Sequence, residues 1–263
     1  MSPVKLKREL DKLYNQYNHR RYVHPDPLEF LFLYKEAKNR EIVGLIASAL
    51  AYGRVAIILK SVAQVLDRMT PSPYLFLINS DYQFILNEFK DFRHRFAGGH
   101  NIAALLSGIK KTIERFGSLY QCFLNGLSEK DENIVRAMDF FSHQLAGHEH
   151  KPGHLVALPE KGSACKRMNL FLRWMVRKDS VDPGGWERIP PSKLILPIDT
   201  HMHKISLALK FTKRKQANMA TALEITRRFK QMVPDDPVKY DFVLTRFGIR
   251  DDMNIDCLID KTR

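Results

Sequence analysis

The sequence predicts an all-α protein. Three observations carry that expectation. Apolar residues recur with the helical period along most of the chain, caps and stops fall at the ends of those stretches, and no run alternates apolar and polar residues convincingly enough to make a sheet. The 263 residues, 44% of them apolar, have the length of one large domain or two small ones and can bury a core without disulfides. No low-complexity linker or internal repeat divides them, so residues 1–263 are expected to form a single domain.

In chain order, the first helix signal covers Asp26–Lys35. The stretch NREIVGLIASALAYG then predicts a helix with Asn39 as N-cap and Gly53 as its stop, and with Ile42, Ile46, Ala49 and Leu50 on one face. RVAIILKSVAQVLDRM continues with Ile58, Val62, Val65, Leu66 and Met69 in a stripe. Further helices are predicted over Asn101–Phe116, Asp131–Leu145, Ser163–Lys178, Thr200–Phe211, Asn218–Met232 and Pro237–Phe247. In the last, Asp236 would cap, Pro237 sit at the first helical position and Gly248 close the end. Two stretches read as loops: Ala146–Lys161, broken by Pro152, Gly153 and Pro159, and Ser180–Ser192, with three prolines and two glycines. Both flank the helix that begins near Ser163, and loops on a rigid scaffold commonly carry function.

The formal net charge is +13 and the pI near 9.6. That excess points to a polyanionic partner, nucleic acid first, and its spread along the chain suits a folded basic face rather than a tail. The apolar runs Ile42–Tyr52 and Val55–Lys60 are too short to span a membrane, and MSPVKLKREL has no apolar segment of a secretory signal. Cys122, Cys165 and Cys257 contain no CxxC pair, which argues against a disulfide framework and against a cysteine-built zinc or iron–sulfur site. A reducing cytoplasmic, nucleoid-associated location is expected, with no membrane partner.

The chemistry concentrates in KGSACKRMNLFLRWMVRKD, from Lys161 to Asp179, and LPIDTHMHK, from Leu196 to Lys204. In the first, Ala164, Met168, Phe171, Leu172 and Met175 form a buried stripe. Lys166 and Arg167 fall in the first turn, Lys166 near the third position, where the helix dipole disfavours a cation and so favours the neutral, nucleophilic amine. The free amides at that helix start, with Gly162 and Ser163 before it and Lys161, Lys166 and Arg167 around it, suit a DNA phosphate. Asp199 opens the next helix 33 residues after Lys166 and would accept a proton or stabilise positive charge on a reacting sugar. Taken alone, Lys166 reads as a solvated lysine and Asp199 as an N-cap.

Together these stretches resemble the catalytic core of the helix–hairpin–helix (HhH-GPD) DNA glycosylases, the superfamily that includes endonuclease III. In that superfamily a hairpin with a Gly-containing turn precedes a helix opened by a catalytic lysine, and an aspartate follows in a DTH-like segment. Lys166 matches the lysine and Asp199 the aspartate, with Gly162 a weaker hairpin match. Over most of its length the chain is similar to an uncharacterised bacterial family described as a domain of unknown function, through SACKRMNLFLRWMVR, VDPGGW and DPVKYDFVLTRFG. ASALAYGRVAIILKSVAQVL resembles the superfamily's N-terminal helix pair, whose turn presents a residue to DNA; here that turn is Gly53–Arg54. LPEKGSACK is longer than the usual hairpin, the superfamily's four-cysteine iron–sulfur loop is absent, and the long Lys–Asp separation is similar to that of archaeal oxidised-guanine glycosylases.

The resemblance implies two helical lobes with a cleft between them, the hairpin and catalytic helix lying at about 155–180. It implies a monomeric DNA-repair N-glycosylase with lyase activity that removes a damaged base, an oxidised purine by first expectation, from duplex DNA without a cofactor. Lys166 would attack the sugar C1′ and Asp199 assist proton transfer. Trp186, Trp174 and Phe247 are the candidates to line the base pocket, Phe171 being assigned to the core; Gly162, Ser163, Lys161, Arg167 and Arg54 are the candidates to bind DNA. Arg246 and Arg250 are expected either to touch phosphate or to face water. Two rivals remain: a DNA-binding module of the same fold without catalysis, and a metal-dependent hydrolase. The hydrolase would use Asp199 with His201 and His203, helped by His94, His100, His148, His150 or His154, because two histidines two apart on a helix diverge. No metal site is assigned.

Overall fold

The computed structural model describes residues 3–147 and 149–249, and they are mostly helical. The first helix, α1 (Pro3–Tyr17), buries Leu6 and Leu10. A 3-10 helix (Pro27–Leu33) follows where an α-helix was predicted. Asp26 caps it by accepting the Leu28 N–H at 3.0 Å, and Leu28 and Leu31, three apart, share its buried face as that tighter period requires.

The centre of the fold is α2 (Ala37–Ala49), in which ten of 13 residues are buried. A helix enclosed by neighbours is apolar around most of its circumference. Glu36, not Asn39, takes its cap position; Asn39 is buried one turn in, and its Oδ1 accepts from Ser72 Oγ at 2.8 Å and the Tyr74 N–H at 2.9 Å. Next, α3 (Val55–Asp67) buries the predicted stripe from Ile58 to Leu66. The short α4 (Pro73–Asn79) and α5 (Tyr82–Glu88) are capped by Ser72 and Asp81. A hairpin follows: β1 (Arg93–His94) pairs antiparallel with β2 (Ala97–Gly98), Arg93 opposite Gly98 and His94 opposite Ala97. It is the only sheet among the described residues, and strands of two residues are too short to show an alternating pattern.

Behind α2 lie α6 (Gly99–Phe116), α7 (Leu119–Gly126) and α8 (Val135–Ala146). A Cβ on Gly108 would stand 2.1 Å from the Leu145 carbonyl oxygen, so glycine is what lets α6 and α8 approach. Glu41 of α2 reaches the open end of α7, where its carboxylate accepts the N–H groups of Leu119 at 3.0 Å and Tyr120 at 3.1 Å, and also Trp186 Nε1 at 3.2 Å. Burial outweighs those donors and pushes the Glu41 carboxyl up to about 7.

The described residues close with α9 (Lys166–Val176), α10 (Thr200–Ala208), α11 (Met219–Met232) and α12 (Asp241–Ile249). The last begins four residues later than predicted. Pro237–Tyr240 form turns, Gly248 lies within the helix, and Asp236 pairs with Arg177 Nε at 2.9 Å instead of capping. α1 packs on α11 and α12, and Asp11 there accepts from Lys239 Nζ and Tyr240 OH, each at 2.8 Å.

The predicted loop Ser180–Ser192 is tightly anchored. The Gly184 and Trp186 N–H groups donate to Trp174 O at 3.0 Å and Met175 O at 2.9 Å, satisfying the last carbonyls of α9. Its Asp182, fully buried, pairs with Arg173 and Arg177; Arg173 also pairs with Asp241, and Arg177 with Asp179 and Asp236. Burial raises the Asp241 carboxyl to about 6. This anchoring overturns the reading of Trp186 as an exposed pocket aromatic. It is 1% exposed, stacked on Tyr120 at 5.3 Å and edge-on to Phe171 at 5.1 Å, because a large ring with its N–H satisfied by Glu41 is stable in the core.

Candidate active site

The hairpin before α9 is built by a 3-10 turn (Pro159–Lys161) and Gly162, whose φ of +75° suits a residue without a Cβ. It is tied to the start of α11, where Ser163 bridges Asn218 and the Met219 N–H donates to Gly162 O at 3.1 Å. Cys165 adopts a left-handed conformation at φ +47°, and α9 begins at Lys166. The lysine therefore lies in the first turn, as expected, but at its first position; no acidic residue shares that turn.

Asp199 caps α10. Its Oδ1 accepts the Met202 N–H at 2.8 Å, which leaves Oδ2 free to face the Lys166 Nζ at 3.6 Å. The two side chains are 34% and 19% exposed. Both line a cavity of ≈ 730 Å³ whose wall includes Tyr52, Leu170, Trp174 and Arg246. Trp174 is buried, and its indole N–H has no partner. Arg246 is held by Asp26 at 2.5 Å and by Val23 O at 3.4 Å, yet its Nε–H has no partner either. Buried unpaired donors are costly, and both belong to side chains on this wall.

A profile of DUF2400, described as a protein of unknown function, matches residues 26–250. The chain belongs to the DUF2400 family. No curated protein and no solved structure matches it. The DUF2400 match spans the hairpin, Lys166, Asp199 and nearly all of the cavity wall.

The other predicted residues of this DUF2400 chain divide cleanly. Lys161, Gly162 and Ser163 are exposed at the hairpin, and Arg54 is exposed between Gly53 and Val55, which line the cavity. Trp174 lines the cavity as expected. Arg167 lines the cavity beside Lys166 and is half-buried; its guanidinium donates to Ala49 O at 2.5 Å and to His154 O, and lies 5.0 Å from the Tyr52 ring centre. The open carbonyl end of α2 is a better partner for it than solvent. Arg246 is likewise buried in its pair with Asp26, and Arg250 lies outside the described residues. Phe247 is also a correction: it packs edge-on against Tyr17 at 6.3 Å, and Thr245 and Arg246 are the α12 residues on the cavity wall.

The histidines do not gather on Asp199. His203 bonds Arg214 O at 2.9 Å, His94 is buried between Ser61 and Tyr52, His150 stacks on Tyr82, and His154 bonds the Tyr52 hydroxyl. His201 lines the cavity alone among them, His100 is exposed, and His148 lies outside the described residues. A different group, Asp139, His143 and Glu160, has potential ligand atoms within 4.8 Å of one another. There the two His143 nitrogens face different carboxylates, each at 3.5 Å, an arrangement that bridges two acids. Its only sequence signal was Asp139 four residues before His143 on one helix. No helix of the described residues is long and apolar enough to cross a membrane.

Proposed function

We propose that this protein is a DNA glycosylase with lyase activity that removes a damaged, carbonyl-bearing base, such as an oxidised purine, from duplex DNA. The observation that carries the reading is the Lys166–Asp199 pair, 3.6 Å apart on the wall of a ≈ 730 Å³ cavity. A cavity of that size is in the range of small-molecule sites, and a base can reach it only by leaving the stack. The fold reading that accompanies it is the helix–hairpin–helix one. One lobe is built around α2–α8, the other from α1 with α10–α12, and the cavity lies between.

In this reading Lys166, as the neutral amine, adds through Nζ to C1′ while the glycosidic bond breaks and the base leaves with the bonding pair. Asp199 Oδ2 accepts a proton from the new ammonium and returns it to the sugar ring oxygen as the ring opens to the Schiff base. Removal of a C2′ proton then expels the 3′ phosphate and cuts the strand. Trp174 Nε1 and Arg246 Nε donate to carbonyl oxygens of the base. Oxidised guanine carries two such oxygens, whereas the amino edge of adenine opposes these donors with another. The +13 charge, the exposed hairpin at Lys161–Ser163 and the exposed basic loop Lys213–Lys215 hold the backbone.

The divergence of the histidines disfavours the hydrolase reading. A binding module without chemistry is separated by borohydride trapping on duplexes that each carry one modified base. The proposal expects a covalent adduct with the wild type and none with Lys166→Ala; equal trapping by the two ends the assignment.

A further inference from the structure

Asp139 and His143 stand four apart on α8 and so share one face of that helix. Glu160, in the 3-10 turn that opens the hairpin, comes to the same place from the other side. Each offers one ligand atom, and the three atoms lie within 4.8 Å of one another. Side-chain exposures of 35%, 43% and 55% leave the group open to an ion from solution.

The neighbours of His143 fix which of its nitrogens carries the proton. Nδ1 lies 2.9 Å from Asp139 O. A carbonyl oxygen only accepts, so Nδ1 is the donor of the neutral ring and Nε2 keeps its lone pair. That lone pair faces Glu160 Oε1 at 3.5 Å. Two acceptors turned toward each other repel unless something positive lies between them. Among the described residues no lysine or arginine pairs with Asp139 or Glu160, although the chain holds 42 of those cations against 29 acids. A proton on Nε2 would serve one line between two partners. Here a third donor converges on the same spot, which suits a metal ion.

The spacing agrees. Two donors on one tetrahedral zinc ion, at bond lengths of about 2.0–2.1 Å, stand about 3.3 Å apart. Nε2 and Glu160 Oε1 are already close to that, and a rotation of the half-buried Asp139 side chain closes the third position. An Nδ1–H bond to a backbone carbonyl is also the common support of a metal-binding histidine, because it holds the tautomer and the ring plane. One imidazole with two carboxylates suits zinc better than calcium or magnesium, which take oxygen ligands.

We propose that Asp139, His143 and Glu160 form a zinc site that clamps the hairpin to α8. Glu160 directly precedes Lys161, Gly162 and Ser163. The Glu160 N–H reaches Asp139 Oδ1 at 3.4 Å, a long hydrogen bond that a shared ion would reinforce. The inference is independent of the glycosylase reading and stands or falls without it.

The test uses the full chain, stripped of metal with a chelator and titrated with zinc alone. The wild type is expected to take up one equivalent that His143→Gln and Glu160→Gln, one on each element, each bind at least tenfold more weakly. Both substitutions are on solvent-facing side chains and should melt as the wild type does without zinc. Amide hydrogen exchange reads the clamp: zinc should slow exchange of residues 160–162 at least tenfold in the wild type and leave it unchanged in His143→Gln. Equal zinc uptake by the wild type and both variants overturns the site, since the ion would then sit on other histidines or cysteines. Uptake only at millimolar zinc overturns it as well. Binding through His143 and Glu160 with unchanged exchange in the hairpin overturns the clamp.

Discussion

The Lys166 Nζ stands 3.6 Å from Asp199 Oδ2, and each residue begins a helix. An amine at one positive helix end and a carboxylate at another meet across a cavity wall, with the second carboxylate oxygen already committed to its own helix. Asp199→Asn keeps a good cap and should fold normally. It removes the proposed proton acceptor, so turnover should fall by about 10²–10⁴ with duplex affinity nearly unchanged, measured by single-turnover cleavage beside anisotropy titration.

Trp174→Phe retains the ring and removes the unpaired indole donor. In the Lys166→Gln background, affinity for a duplex bearing oxidised guanine should drop by about 5- to 100-fold, the worth of one buried hydrogen bond. The same substitution should leave an undamaged duplex bound as before. Equal binding of the damaged duplex by both forms would remove Trp174 Nε1 from base recognition.

Arg173 is fully buried between Asp182 and Asp241. Arg173→Ala strands two carboxylates without a partner and should cost about 3–5 kcal/mol, seen as a lowered Tm in thermal melts. Arg173→Met should recover part of the lost packing but none of the pairing.

Glu41 carries a pH signature. Its carboxyl is raised from 4.5 to about 7 by burial, so the folded state keeps a proton that the unfolded chain has already released within that window. Its contribution to stability is therefore present below the unfolded value and lost as pH rises toward 7. Melting at intervals from pH 4.5 to 7.5 should show Tm declining more steeply in the wild type than in Glu41→Gln. The variant should lie close to the wild type at pH 5, where the wild-type carboxyl holds its proton and, like the amide, offers one full acceptor oxygen to the N–H groups of Leu119, Tyr120 and Trp186.

Duplex binding should weaken steeply with salt. Lys161→Ala should reduce the slope of log K against log salt by about 1, as for one lost phosphate contact. Arg167→Ala should leave that slope alone and lower the Tm instead, because its guanidinium serves Ala49 and His154.

Helical periodicity and cap chemistry by themselves determined the helical class, the course of α2, α3, α9 and α11, the Lys166 position in a first turn and the Asp199 cap. These are local matters, settled within a turn or two of chain. Tertiary structure decided which polar and aromatic groups are free to meet a ligand. Trp186 looked exposed in a Gly/Pro loop until Glu41, 145 residues away, took its N–H. Arg246 looked like a phosphate contact until Asp26, 220 residues away, paired with it. Arg167 turned to the end of α2, and Phe247 turned to Tyr17. A residue's pattern along the chain reports the face it occupies, but its partner is chosen by whatever distant segment packs there, and that choice has no local signal.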